Sequence, residues 1–208
     1  MASRTPPGTD RPPRPAAQRG VATRERLIHA AVQLIPELGW GAVTTRKVAA
    51  RAGVHPGVVH YHFASVTDLL IDAAIQFSRE ALAAPMAVLA TAPDVASGLD
   101  RLLAAVDDLA TDGGTARLLT ESVLAATRED RLRTQLRDLL ADVRAGFAMW
   151  LRRHGHDTDV DATAAVLAAT LDGLLLHRAV DVAPAAEVAR GPLLRLLNAP
   201  AAPSRKEM

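Results

Sequence analysis

The stretch from Thr44 to Phe63 constrains this chain more than any other. It reads as two short helices joined by a tight turn. Thr44 is placed to cap the first, because its hydroxyl can accept from an orphan backbone N–H. Val48, Ala49 and Ala52 give that helix one apolar face. Gly53 falls where the helix must stop, and glycine enters the left-handed region without a Cβ penalty. Pro56 suits the first turn of a second helix, where its missing N–H costs nothing. The second helix offers His55, Gly57, His60, Tyr61 and His62 to a partner, with Arg46, Lys47 and Arg51 around it. Helix, glycine turn, short polar helix and basic flanks together predict a DNA-binding helix-turn-helix.

A wider pattern surrounds this stretch. Thr23-Arg24-Glu25-Arg26-Leu27-Ile28, Ala30-Ala31, Leu34 and Gly39 precede it, and Tyr61-His62-Phe63 leads on to Asp68-Leu69-Leu70. In order and spacing these residues resemble the N-terminal domain of TetR-family repressors, over about residues 20–70. The resemblance implies an all-α homodimer with a three-helix DNA-binding domain and a larger, variable helical domain that binds a small molecule. Carried onto this sequence, it implies contact with a double-stranded operator through Thr44, Thr45, Arg46, His55, Pro56, Gly57, Val58, His60, Tyr61 and His62. His55 stands where the family often has a Ser or Thr cap, and imidazole caps less well. Val58 and His60 replace a usual Thr and Tyr, and Val66 replaces a frequent Lys. These departures bear on the operator sequence more than on the class of function.

Charge is divided in the way this reading needs. The chain carries +1 overall, but residues 1–65 hold nine Arg and Lys against three Asp and Glu, and the remainder is net acidic. A basic front end on an acidic body fits a protein that meets nucleic acid at one end. There is no cysteine, so disulfides and thiolate metal sites are excluded. Aromatic residues are 3% of the chain while alanine abounds, which favours packed helices over sheets. The first twenty residues are polar and Pro-rich, unlike a signal peptide. The apolar run from Ala162 to Val180 is interrupted by Asp172 and ends on His177 and Arg178, which suits a buried helix. No membrane association and a cytoplasmic location are expected.

Four segments are expected: a disordered basic arm (1–18), the helix-turn-helix domain (19–64), a helical ligand-binding and dimerisation domain (65–198), and a flexible tail (199–208). The arm either reaches into a DNA minor groove or is a solvated tail, the simpler reading. Helix 1 should run from about Arg19 to Leu38 with Leu27, Ala31, Leu34 and Leu38 on one face, and Pro36 should bend or end it. Ser65 should cap helix 4 in a capping box with Asp68, with Ala64 and Leu69 as a staple, and that helix should reach about Ala84, where Pro85 interrupts or bends it. Helices over about 94–111, 115–127, 129–154, 160–180 and 184–197 complete the body, with Leu118, Leu119 and Val123 inward on the second of these. Ala165, Ala169 and Gly173 form a small-residue stripe that would let another helix approach closely.

The ligand site is the least legible part. Phe77, Met86, Phe147, Met149 and Trp150 are large and adaptable, and Gln76, Arg117, Glu121, Arg144 and Asp172 are polar groups that can face inward. Phe77, Arg117, Glu121, Phe147, Trp150 and Asp172 are taken as the ligand-binding set, although each is equally an ordinary packing or surface residue. A bulky, mostly apolar ligand of unknown identity is expected. No cofactor, metal or catalytic residue is expected. His60 and His62 lie two apart and point to different sides of a helix. His154 and His156 read as solvated residues at a helix end. Asp172 and His177, five apart, do not stack as an acid–base pair and read as buried polar groups at a seam or pocket. The expected function is a homodimeric repressor released from a pseudo-palindromic operator by a small molecule. A ligand-dependent activator or corepressor-type regulator is the alternative, and a helical enzyme the remote one.

Overall fold

The computed structural model describes residues 16–111, 113–178 and 186–198. Among them the fold is all-α: α1 (Ala16–Leu38), a 3-10 turn (Trp40–Ala42), α2 (Thr45–Ala52), α3 (Pro56–His62), α4 (Val66–Ala90), α5 (Val95–Thr111), α6 (Gly114–Ala126), α7 (Asp130–Arg153), α8 (Val160–Arg178) and α9 (Ala186–Asn198). The expected arm up to residue 15, the start of the last helix at Pro184, the stretch around Val180 and the tail from 199 lie outside the described residues.

Two cores divide the chain. In the head, Leu27, Ile28, Ala31, Leu34 and Ile35 of α1 bury against Val48 of α2, Val59 of α3, Phe63, and Leu69 and Leu70 of α4. In the body, Leu99, Leu102, Leu103 and Val106 of α5 bury with Val143, Phe147, Trp150 and Leu151 of α7, Ala164, Leu167 and Leu171 of α8, and Leu193 and Leu197 of α9. A third cluster stands at the joint, where Ile71, Ala74 and Ile75 of α4 meet Ala125 and Ala126 of α6 and Leu132 of α7. Helix α4 thus contributes to all three, and α6 reaches the head through Leu118.

Several expectations need correcting. Helix α1 begins at Ala16, three residues early, and carries Pro36 inside its last turn. Gly39 N–H reaches the Ile35 carbonyl at 2.9 Å, so the turn closes around the proline. Gly39 then takes φ 80°, and Leu38 is turned outward and 40% exposed. Helix α4 does not stop at Ala84; it runs through Pro85 to Ala90. Proline removes one backbone bond and crowds the preceding turn. Packing on both sides holds the helix together, because Leu82 and Met86 lie against the body core and Leu89 is buried in it. Ser65 Oγ accepts from Asp68 N–H at 3.0 Å and donates to Asp68 Oδ2 at 2.7 Å, but Ala64 is exposed and makes no staple. Val123 is 61% exposed, because α6 buries its Leu118, Ser122, Ala125 and Ala126 face.

Helix α8 is the one helix among the described residues long and apolar enough to cross a bilayer by length and composition. It is a packed helix of the body: Val160, Ala164, Leu167, Ala168 and Leu171 are buried at helical spacing. The opposite side remains apolar and open, with Val166 and Leu176 exposed, Ala169 exposed and Ala165 half-buried.

Candidate nucleic-acid interface and effector region

Local chemistry fixes the helix-turn-helix. Thr44 is extended (φ −124°, ψ 158°) and its Oγ1 accepts from Lys47 N–H at 3.4 Å, a long cap. Gly53 is left-handed (φ 64°, ψ 41°), its N–H reaching the Ala50 carbonyl at 3.2 Å while Val54 N–H reaches Ala49 at 2.9 Å. His55 does cap α3. Its Nδ1 accepts from Gly57 N–H at 3.2 Å. A ring nitrogen that accepts carries no proton, so the proton of the neutral ring sits on Nε2 and offers a donor.

The surfaces sort the ten residues assigned to DNA. Thr44, Arg46, His55, Gly57, His60 and Tyr61 are exposed; Thr45, Pro56, Val58 and His62 are half-buried. Gly57, His60 and Tyr61 follow i, i+3, i+4 and share one face of α3, while Val59 is buried on the other. Tyr61 is 83% exposed, unusual for a large aromatic, and meets the His62 ring edge-on at 5.0 Å. The basic flank is smaller than the sequence suggests. Arg51 forks onto Glu37 (2.9 and 2.6 Å), which draws the Glu37 carboxyl below its ordinary range and ties α2 to α1. Lys47 Nζ donates to the Ala42 carbonyl at 2.8 Å. Arg46 keeps no intramolecular partner among the described residues.

A second set of residues joins head to body, and sequence reasoning missed nearly all of it. Arg131, in the first turn of α7, donates to Asp68 Oδ1 at 2.5 Å and Asp72 Oδ1 at 2.7 Å, both on α4. Asp72 Oδ2 accepts from Arg24 of α1 at 2.6 Å, and the Arg24 guanidinium lies 4.9 Å from the centre of the Phe63 ring, the residue that ends α3. Ser65 and then Arg131 hold the Asp68 carboxyl below the ordinary carboxylate range. An open cleft of about 560 Å³ adjoins this chain of ion pairs, lined by Arg24, Asp72, Ile75, Gln76, Arg79, Glu80 and Gln135. The only sequence signal was Asp68 and Asp72 one turn apart on α4.

The six residues assigned to a ligand do not converge. Phe77 packs on the head core, and Arg117 is exposed. Glu121 is a tether: its Oε2 accepts Trp40 N–H at 2.7 Å, which fastens α6 to the 3-10 turn. Phe147 and Trp150 are buried in the body core. Asp172 and His177 are not buried as read; both are open to water. Neighbouring protein still crowds Asp172 enough to raise its carboxyl above the ordinary range, with Arg144 opposing. Met149 is exposed as well. His154 is no solvated end residue: its ring nitrogens face the Trp150 carbonyl at 2.9 Å and the Ala92 carbonyl at 3.2 Å.

Known proteins resemble both halves. Residues 27–73 match the family model described as bacterial regulatory proteins, tetR family, and residues 90–199 match a tetracyclin repressor-like C-terminal domain. The HTH-type transcriptional regulator BetI of Rhizobium meliloti (strain 1021) is 30% identical over 164 residues, 77% of this chain and 80% of the relative. The crystal structure of the multidrug binding protein EbrR complexed with imidazole superposes with a TM-score of 0.70 at 30% identity, covering 96% of this chain and 100% of that one. That of a transcriptional-regulator candidate from Streptomyces coelicolor A3(2) gives 0.72 at 28% identity, covering 85% and 98%.

Proposed function

From the premise that this chain belongs to the TetR family of DNA-binding transcriptional regulators, we propose that it is a homodimeric repressor which a small molecule releases from a pseudo-palindromic operator. The observation that carries the reading is the exposed face of α3, where Gly57, His60 and Tyr61 stand clear of the head core beside Arg46 and His55. Thr44, Tyr61 and His62 serve phosphates; Arg46, His55, Gly57 and His60 reach base edges. The DNA-binding domain ends and the effector and dimerisation domain begins at Ser65. The protein acts in the cytoplasm, where its operator lies.

Dimerisation is favoured by the open apolar side of α8 and α9. Val166, Leu176, Val188 and Leu196 are exposed, and a Cβ added at Gly173 would meet nothing within 4 Å. Two such faces related by a two-fold axis make a four-helix interface. The effector enters the body between α4, α5 and α7. Helix α4 takes part in the head, joint and body cores, so a tilt of α4 changes the separation of the two recognition helices. Binding of a small molecule by the relative EbrR is consistent with this arrangement. The test is a pair of titrations of one effector, with and without operator DNA. Linkage makes the two effects equal in size, with typical couplings of about 1–3 kcal/mol. Weaker effector binding on operator supports release, equal binding defeats it, and tighter binding makes the protein a corepressor-type regulator or activator.

A further inference from the structure

Two glycines of the body stand where a methyl group would run into a side chain of a neighbouring helix. At Gly98 of α5 a Cβ would lie 2.4 Å from Trp150 Cζ2 and 2.8 Å from its Nε1; at Gly146 of α7 it would lie 2.2 Å from Met86 Cε. Each notch is therefore filled by a side chain from a neighbouring helix, an indole from α7 and a thioether from α4. Gly146 and Trp150 are four apart on α7, so the Gly146 notch and the indole that fills the α5 notch share one face of that helix. Phe147 lies between them in sequence and is buried in the same core.

Trp150 is 1% exposed, yet its Nε1–H has no acceptor among the described residues. Buried donors are nearly always satisfied, so this one needs a reason. Leu89, Leu99, Leu102 and Leu103 of the same core have apolar side chains, and the His154 ring, 6.0 Å from the indole, turns its nitrogens to the Trp150 and Ala92 carbonyls. Met86 is the side chain best able to leave. It is unbranched and flexible, it is only partly buried, and it follows Pro85, where α4 lacks a backbone hydrogen bond.

We infer that this locus is the effector pocket in a self-filled state, and that it takes a flat, uncharged molecule bearing one hydrogen-bond acceptor. The inference rests on the repressor reading only for its effect on DNA. Met86 swings out of the Gly146 notch, the ligand ring enters against Phe147 and the indole, and the indole lifts from Gly98 to give Nε1–H to the acceptor. A charged ligand would find no counter-ion among these apolar walls and would carry its desolvation cost uncompensated.

Quinoline and naphthalene supply the test. They are close in size and shape and both uncharged at neutral pH, but only quinoline has an acceptor. The chain has two tryptophans, so Trp40→Phe in the full-length protein leaves Trp150 as the sole reporter. Trp40 is only partly buried against the head and joint cores, where phenylalanine can replace its ring, and its backbone N–H to Glu121 is unchanged. Titration followed by Trp150 emission should give quinoline about tenfold tighter binding than naphthalene, the effect of satisfying a buried donor. Trp150→Phe should abolish that ratio, read by calorimetry. Met86→Ala, which empties the notch without touching the donor, should tighten both probes and preserve the ratio. Equal affinities for the two probes, an unchanged ratio in Trp150→Phe, or no binding of either probe even to Met86→Ala overturns the pocket. Operator release, read separately by anisotropy of labelled DNA, keeps the two readings apart. Selective quinoline binding that leaves the operator bound defeats the release mechanism alone, while release by a compound indifferent to Trp150→Phe defeats the pocket alone.

Discussion

His55 shows how much one residue contributes to a short helix. Helix α3 has seven residues, and an isolated helix of that length is unstable in water. At its N-terminus one imidazole nitrogen accepts the Gly57 N–H, while the His55 carbonyl accepts that of Val58. His55→Ala should lose the cap at a cost of about 1 kcal/mol in chemical denaturation, and His55→Asn should recover most of it. Operator affinity should fall further in His55→Asn than its stability does, because the cap returns and the Nε2–H donor does not. His60 and Tyr61 are neighbours on the exposed face with different work. Tyr61→Phe should weaken binding to every DNA sequence alike, as loss of a phosphate contact does. Replacing His60 should change the preference at one base position, by about 1–3 kcal/mol. Competition binding against a set of single-base operator variants separates the two. A uniform loss in the His60 variant would remove it from the base-reading set.

Between elements, the ion pairs at the joint matter for orientation more than for stability. Arg131 is 47% exposed and Asp68 34%, and pairs of this kind contribute about 0–1 kcal/mol each. Arg131 makes two such pairs, so Arg131→Ala should shift the melting temperature by no more than about 4–8 °C, twice the shift expected for 1 kcal/mol in a chain of this size. Its larger effect should be on coupling, because Arg131 is the link from α7 through Asp72 and Arg24 to the end of α3. The difference in effector affinity with and without operator should shrink in this variant, and Arg24→Ala should not reduce it further in the double mutant. The pH dependence has a definite sign. The folded Asp68 carboxyl titrates below its unfolded value. Its contribution is thus complete above the ordinary carboxylate range and is lost as pH falls through the lowered value. Ser65→Ala should flatten the acid limb of a stability-against-pH curve most, and Arg131→Ala should flatten it in part. Glu121→Ala should cost about 1 kcal/mol by leaving the part-buried Trp40 N–H unmatched.

At the scale of the whole molecule, the outward side of α8 decides assembly. Ala169 is exposed in the single chain and so is Val166, one turn away. Ala169→Arg leaves the buried stripe of α8 untouched, so the monomer should fold with an unchanged helical signal. Light scattering at low micromolar concentration should show the dimer split, and operator binding should fall with it, because a single head engages only one half-site. A variant that remains dimeric would place the two-fold axis elsewhere.

The helices and their caps were legible because their causes are local. Thr44, Gly53, Pro56 and the Ser65–Asp68 pair act within four residues, and the apolar positions of α1, α5 and α7 repeat at the helical period. The resemblance over about residues 20–70 carried the function class for the same reason, since the recognition unit is one contiguous stretch. What the sequence left open depends on residues far apart in the chain. Trp40 meets Glu121 across 81 positions, Arg131 meets Asp68 across 63, and Arg24 meets Asp72 across 48. No local period encodes such pairs. Glu121 looked like a ligand group and is a tether; Arg51 looked like a DNA cation and is paired to Glu37. Pro85 looked like an interruption or a bend in α4, and the helix continues through it, because packing on both sides outweighs one lost backbone bond. Whether Trp150 has an acceptor, and whether Gly98 and Gly146 are spacers or notches, was decided only when three helices came together. Close packing and hydrogen-bond satisfaction are properties of assembled neighbours, not of a residue and its position in the chain.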